Sequence, residues 1–139
     1  MIVLDTNVLS EMLRQRPAPA VVRWVAAHPA SSLFTTTITQ AEMLYGVALL
    51  PPSKRRTALA VAVAGMFDID FSGRVLPFDG PAAHAFALMA SKRRQAGRTI
   101  AQLDAQIAGI VHSRGATLAT RNTADFGGCG IQVVDPWHD

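Results

Sequence analysis

The sequence has one cysteine and no long apolar run, and each shortage excludes a class of protein. Cys129 stands alone among 139 residues, so no internal disulfide and no cysteine pair for zinc can form. The longest apolar run, residues 58–67, is far shorter than the roughly 20 residues that span a bilayer. Residues 1–4 are followed at once by Asp5, with no basic leader and no signal-length apolar stretch, so we expect a cytoplasmic protein with no membrane span.

Metal ligation by nitrogen is also disfavoured, because the histidines share no ligand spacing. They lie at positions 28, 84, 112 and 138, and we interpret them as surface or core residues. Charged residues make up 17% of the chain, with a net charge of +3. Two basic clusters, 54–56 and 92–94 with Arg98, weakly favour a nucleic-acid partner. A solvated first turn and a helix C-terminus explain the same clusters equally well.

Short apolar segments alternate with helical patterns along the chain. Strands are predicted at 2–4, 33–36, 74–78, 117–120 and 131–134. Helices are predicted after Asp5, around 21–27, around 41–49 with Pro51 ending the helix, over 53–67 and 81–95, and from Thr99 to Gly115. This order predicts one α/β domain, residues 1–139, with a central, mostly parallel sheet flanked by helices.

Two of the helical segments carry a clear apolar face. The first face, in the helix predicted around residues 41–49, comprises Ala41, Leu44, Tyr45, Ala48 and Leu49. The second face, in the helix after Thr99, comprises Ile100, Leu103, Ile107, Ile110 and Val111. Small residues beside the second face, including Ala105 and Gly109, leave room for a neighbouring element to approach closely.

Four carboxylates are predicted to lie at one edge of the sheet. Asp5 and Asp125 follow predicted strands, and Glu42 and Asp104 lie in the first turns of two helices. Ligands bind beyond the carboxyl ends of the strands in parallel sheets. Grouped carboxylates tolerate one another mainly around a divalent cation, and oxygen ligands suit Mg²⁺ or Mn²⁺. This chemistry is typical of phosphodiester hydrolysis.

Each carboxylate also has a purely structural interpretation. Asp5 and Asp125 are possible caps of a helix or a turn. Thr39 and Glu42 fit a capping box, in which the glutamate only satisfies a backbone N–H. Residues 99–102 form a capping box of their own. Asp104 therefore has no capping role, and this favours a functional role for it.

Polar side chains accompany the carboxylates and have two interpretations as well. Thr6 and Asn7 directly follow Asp5, and Thr120 and Asn122 follow a predicted strand. Such hydroxyls and amides orient metal ligands and waters. The same residue types are also favoured at caps and turns for local reasons.

Four ordered blocks give the sequence a resemblance to a known family. They are Ile-Val-Leu-Asp-Thr-Asn-Val-Leu-Ser-Glu from residue 2, Thr-Gln-Ala-Glu from 39, Leu-Asp-Ala-Gln-Ile-Ala from 103 and Thr-Arg-Asn-Thr-Ala-Asp-Phe from 120. Together they resemble the VapC family of PIN-domain toxins, and its FitB-like branch most. The resemblance runs from Met1 to Trp137.

The resemblance implies a Mg²⁺- or Mn²⁺-dependent endoribonuclease with a PIN-like three-layer fold. It also implies inhibition by a cognate VapB- or FitA-like antitoxin, homodimers, and contact with DNA only through that antitoxin. Asp5, Glu42, Asp104 and Asp125 match the family's metal-binding acidic cluster. The catalytic set further includes Asn7 and Thr120 at its edge, with Thr6 and Asn122 matched less firmly. The basic clusters become candidates for contact with the RNA backbone.

Two other functions compete with an RNA-cleaving toxin. The chain could instead be a subunit of a DNA-binding repressor complex with little nuclease activity of its own. A phosphatase of the haloacid-dehalogenase type also has an aspartate after its first strand. That chemistry usually needs a second aspartate two residues later, where this chain has Asn7.

Overall fold

Five short parallel strands form the centre of the molecule in a computed structural model of residues 1–139. The strands are β1 Ile2–Leu4, β2 Leu33–Thr36, β3 Val75–Leu76, β4 Thr117–Ala119 and β5 Gln132–Val134. Their order across the sheet is β3-β2-β1-β4-β5, and every neighbouring pair is parallel. The predicted α/β fold is confirmed, and the sheet is parallel throughout.

Six α-helices connect the strands. They are α1 Thr6–Met12, α2 Pro19–Ala26, α3 Thr37–Ala48, α4 Lys54–Gly65, α5 Gly80–Gln95 and α6 Gln102–Ser113. Short 3-10 turns occur at 30–32 and 123–126, and a π-helical turn, Met66–Asp70, follows α4. No helix has both the length and the apolar character needed to cross a bilayer.

The sheet buries both of its faces, which gives the three layers that the sequence predicts. Adjacent residues of β1 point to opposite sides, as the pleat of a strand requires. Val3 belongs to a core cluster with residues of α5 and α6, whereas Leu4 belongs to a second cluster with residues of α1 to α4. Helices on both faces leave the carboxyl edge of the strands as the open place for a site.

Two predicted helix starts are wrong, because each capping box was placed on the wrong residues. Helix α3 begins earlier, at Thr37, where the Thr36 hydroxyl accepts a hydrogen bond from Thr39 N at 3.0 Å. Helix α6 begins later, at Gln102, and no side chain caps it. Glu42 therefore has no capping role.

The apolar face predicted for α3 does not enter the core. Leu44, Tyr45 and Leu49 are exposed, and the helix buries Met43 and Val47 instead. The helix is apolar on two sides, and the sequence pattern cannot distinguish the side that packs on the sheet. On α6, Ile107, Ile110 and Val111 are buried as predicted, whereas Leu103 is exposed.

The close approach predicted beside the small residues of α6 is confirmed at Gly109. A Cβ at this position would lie 2.7 Å from the backbone oxygen of Ala82 and 3.0 Å from Phe86 Cβ, both on α5. Real Cβ atoms do not come so close to backbone, so α5 and α6 can pack here only over a glycine.

We therefore predict that Gly109→Ala lowers the free energy of unfolding by about 1–3 kcal/mol, as overpacking typically does. Gly65→Ala is the matched control, because Gly65 is also helical and has open space around its Cβ. The control should be neutral or slightly stabilising. Urea denaturation of both variants measures the difference, and equal stabilities would contradict the packing described above.

Candidate active site

Asp5 lies at the centre of the candidate site, where β1 ends and α1 begins. Strands β2 and β4 flank β1, so the chain leaves β1 toward one side and returns on the other. Ligand sites of parallel sheets form at such a point. The Asp5 side chain is only 4% exposed, and its Oδ1 accepts a hydrogen bond from Thr6 N at 2.8 Å. The predicted capping role of Asp5 is therefore real, but it occupies only one carboxylate oxygen.

The second oxygen of Asp5 is held by Thr120, directly after β4. The Thr120 hydroxyl donates to Asp5 Oδ2 at 2.8 Å and accepts from Asn7 Nδ2 at 3.1 Å and Asn122 N at 3.2 Å. One donor and two acceptors are the full capacity of a hydroxyl. Asn7 is fixed in turn, because its Oδ1 accepts from Arg121 N at 3.2 Å. The predicted polar residues therefore form one network around Asp5.

Glu42 faces the same crevice from α3. The Thr6 hydroxyl donates to Glu42 Oε1 at 3.0 Å and lies 3.0 Å from the hydroxyl of Thr39. Thr39 is fully buried beside Thr6, so it is a site residue and not the start of the predicted capping box. Its signal in the sequence is the spacing of three residues to Glu42, which puts both side chains on one face of α3.

Asp104 and Asp125 complete the acidic group from two other elements. Asp104 lies in the first turn of α6 and is half-buried, whereas Asp125 lies in the exposed 3-10 turn after β4. In the sequence, each of these two aspartates lies more than 60 residues away from both Asp5 and Glu42. Only the folded sheet brings all four together.

Burial first, and then electrostatic repulsion, raise the pKa values of three of these carboxyls. Burial raises the pKa of Asp5, its hydrogen bonds from Thr120 and Thr6 lower it, and the charge of Asp125 raises it further. Burial also raises the pKa of Glu42, against the hydrogen bond from Thr6, and Asp5 adds to the rise. The pKa of Asp104 rises to about 6, through burial first and then through the charges of Asp5, Glu42 and Asp125.

The donor set suits a hard divalent cation. All four groups are carboxylates with neutral hydroxyls and amides around them, and such oxygens are the ligands that Mg²⁺ and Mn²⁺ prefer. No three His, Cys, Asp or Glu side chains are drawn together into a closed metal cage. An ion that keeps several waters needs only one or two direct carboxylates, so this open arrangement also fits the predicted metal.

The basic clusters differ from each other in the structure. Lys54 and Arg55 are exposed, as are Lys92, Arg94 and Arg98. The predicted position of 92–94 near a helix C-terminus is confirmed, because α5 ends at Gln95. Arg93 is only 8% exposed, so this residue of the cluster is not open to contact with RNA. Its side chain points inward because three backbone carbonyls near the site accept its hydrogen bonds.

Comparison with known proteins assigns this chain to a family of nucleases. Residues 2–126 match the model of the PIN domain, and the chain belongs to the PIN-domain family. It is 37% identical to VapC ribonuclease Y4jK of Sinorhizobium fredii, over 99% of this chain and 98% of that protein. It is 39% identical to Toxin FitB of Neisseria gonorrhoeae, over the full length of both.

A solved structure gives the same assignment. The FitAB complex bound to an IR36 DNA fragment contains a chain that superposes with a TM-score of 0.93 at 39% identity, covering 100% of this chain and 97% of that one. The predicted membership of the VapC and FitB group of PIN-domain toxins is confirmed.

The raised pKa of Asp104 predicts how stability depends on pH when no metal is present. The folded state, with a pKa of about 6, holds this proton more tightly than the unfolded chain, with 3.8. Stability should therefore fall as the pH rises from about 4 to 6, and stay lower above that range. In chelator at pH 7.5, we expect Asp104→Asn to raise the Tm by about 3 °C.

The difference between Asp104→Asn and the wild type should shrink toward pH 4, where Asp104 is protonated in the fold. Asp68→Asn is the control, because Asp68 is exposed in the turn after α4. Thermal unfolding at several pH values measures both variants. A lower Tm for Asp104→Asn at pH 7.5 would contradict the repulsion described here.

Proposed function

We propose that this chain is a Mg²⁺- or Mn²⁺-dependent endoribonuclease and the toxin of a toxin–antitoxin pair. One observation carries the proposal: the four carboxylates have no cation of the protein to neutralise them. The ion pairs of the structure join Arg14 to Glu11, Arg114 to Asp79 and His138 to Asp135. A chain with 13 Lys and Arg residues thus leaves its most crowded carboxylates to a cation from solution.

Asp5, Glu42, Asp104 and Asp125 are the residues that would hold the metal. When bound, a divalent ion makes water acidic enough to act as a nucleophile at neutral pH and stabilises charge on phosphate oxygens. Thr120 and Thr6 fix the orientation of Asp5 and Glu42 through their hydroxyls. Asn7 holds the Thr120 hydroxyl in place and keeps the network aligned.

RNA is the substrate that the named relatives support. The Sinorhizobium relative is a ribonuclease by name, and a protein 28% identical to this chain over 96% of both is a tRNA(fMet)-specific endonuclease of Shigella flexneri. Exposed Lys and Arg residues would hold the phosphate backbone. Arg121 is well placed for this, since it follows Thr120 and its guanidinium lies 5.1 Å over the Trp137 ring. An RNA substrate also implies action in the cytoplasm.

The partner we propose is a cognate antitoxin of the VapB or FitA kind. A FitB-like neighbour is solved in a complex with its antitoxin on DNA, and a VapBC pair from Salmonella typhimurium, whose matching chain is 25% identical to this one, is also solved bound to DNA. These structures favour a second function, in which the chain is a subunit of a repressor complex. DNA contact would then come through the antitoxin.

We propose that residues 1–139 act as one PIN domain and that the chain forms homodimers. Strand β5 lies beyond the matched residues 2–126, yet it pairs with β4 and completes the sheet. Tyr45, Leu49 and Val61 are 66–70% exposed on the neighbouring helices α3 and α4. A solvent-facing apolar surface of this kind is typical of an interface between identical subunits.

The proposed activity is tested by cleavage of a pool of cellular RNAs with purified, antitoxin-free protein. We expect cutting with Mg²⁺ or Mn²⁺, none in chelator, and a loss of about 100-fold or more in Asp5→Asn and Asp104→Asn. Asp68→Asn, an exposed carboxylate outside the site, should cut normally.

Cutting that survives chelator or both site variants would refute the metal-dependent mechanism. Tight binding of the toxin–antitoxin complex to its operator DNA, with no RNA cleavage by the free chain, would favour the repressor-subunit function instead.

The dimer is tested by sedimentation velocity of the isolated chain. We expect a dimer for the wild type and monomers for the double variant Tyr45→Lys, Leu49→Lys, because two buried like charges oppose each other across a symmetric interface. Leu88→Lys is the control, since Leu88 is 56% exposed on α5, on the opposite side of the sheet. A monomeric wild type would refute the proposed interface.

A further inference from the structure

Arg93 is a buried charge with no carboxylate partner. It is 8% exposed, and none of the ion pairs of the structure includes it. Burial of a guanidinium is costly unless its donors are satisfied. Its Nε donates to the backbone oxygen of Arg98 at 2.8 Å, and its Nη1 donates to those of Asp125 at 3.1 Å and Gly127 at 2.6 Å.

These acceptors lie on two segments, of which one leads to a site carboxylate and the other contains one. The first, residues 96–101, leads from α5 into α6 and so to Asp104 in the first turn of α6. The second, residues 123–129, contains Asp125 itself. A planar guanidinium donates in several fixed directions and can fasten two chain segments at a set distance, whereas a lysine has one compact ammonium on a flexible stem.

The end of α5 fixes Arg93 in this position. Arg98 N donates to Arg93 O at 2.8 Å and Gly97 N donates to Arg94 O at 3.0 Å, with φ of Gly97 at +71°. This is a Schellman motif, which stops the helix and reverses the chain. Arg93 and Arg98 are therefore joined twice, once through backbone atoms and once through the Arg93 side chain.

The loop after Asp125 is held by Arg93 together with two buried side chains, Phe126 and Cys129, and short-range backbone hydrogen bonds such as Cys129 N to Phe126 O at 3.2 Å. Gly127, Gly128 and Gly130 occur within four residues, and two of these glycines have positive φ values of 76° and 72°. Glycine-rich backbone gains much conformational freedom when its contacts are lost. Cys129, the single thiol, is 3% exposed in this loop and its Sγ lies 3.5 Å from Arg93 Nη1.

We propose that Arg93 is a positioning residue, which holds the segments of Asp104 and Asp125 at the distance that the metal site needs. This inference rests on the proposed function. Arg93 itself points away from solvent and acts through the backbone of the two segments. Partners of this kind typically change metal affinity or activity by about 10- to 100-fold when they are removed.

The test begins without metal or RNA and uses Cys129 as the reporter. In Arg93→Gln, a thiol reagent should label Cys129 about tenfold faster or more, because the loop opens locally. Arg74→Gln is the matched control: Arg74 also donates to three backbone oxygens, those of Ala30, Leu33 and Asp70, but at the β3 edge of the sheet. Unchanged labelling in Arg93→Gln, or an equal rise in both variants, would overturn the proposal.

The second measurement is Mn²⁺ affinity by calorimetry in a double-mutant cycle with Asp125→Asn. Arg93→Gln should weaken Mn²⁺ binding about tenfold in the wild-type background and less in the Asp125→Asn background, because Asp125 is one of the two ligands that Arg93 positions. Fully additive losses would overturn the positioning role. If Arg93→Gln fails to fold, Arg93→Lys replaces it in both measurements. Lysine retains the positive charge but lacks the planar guanidinium.

Metal affinity and thiol labelling distinguish failure of the proposed metal site from failure of the contact between Arg93 and the loop. Asp125→Asn with wild-type Mn²⁺ affinity would remove Asp125 from the metal site and overturn the positioning role with it. Faster labelling of Cys129 would still establish the contact between Arg93 and the loop, since that measurement needs neither metal nor cleavage.

Discussion

The repulsion among four carboxylates at one edge of the sheet is the constraint on which the site depends. Burial and mutual charge raise the pKa values of Asp5, Glu42 and Asp104, so the metal-free fold keeps them together at a cost in stability. Proteins commonly accept such a cost where function requires it. The compensation lies in the surrounding fold, whose two apolar clusters cover both faces of the sheet.

The polar side chains that surround the carboxylates are uncharged, and there is a physical reason for this. A lysine or arginine beside Asp5 would relieve the repulsion and also compete with an incoming cation. Thr6, Asn7 and Thr120 instead supply hydrogen bonds that orient the carboxylates and leave their charge unneutralised. The guanidinium of Arg93 donates to backbone carbonyls beside the site and leaves the carboxylates unpaired.

Sequence patterns predicted element types better than element boundaries. The sequence does not fix the capping residue of α3, because Thr36, Thr37 and Thr39 are all competent caps, and only pairing of Thr36 with Leu76 of β3 decides where extended backbone ends. The apolar face of α3 was misjudged for a related reason. Apolar side chains at helical spacing indicate a face that avoids water, but not whether the sheet or another subunit covers it.

The sequence by itself determined the parallel α/β fold, the family and the identity of the four carboxylates. Alternating apolar segments fix the order of strands and helices, and the residues directly after buried strands must lie at the carboxyl edge. Only the tertiary structure decided which polar groups meet there. The hydroxyl of Thr120 reaches Asp5 across 115 residues of chain, and the fork of Arg93 reaches Gly127 across 34. Such contacts depend on how helices pack on the sheet, and no local pattern encodes them.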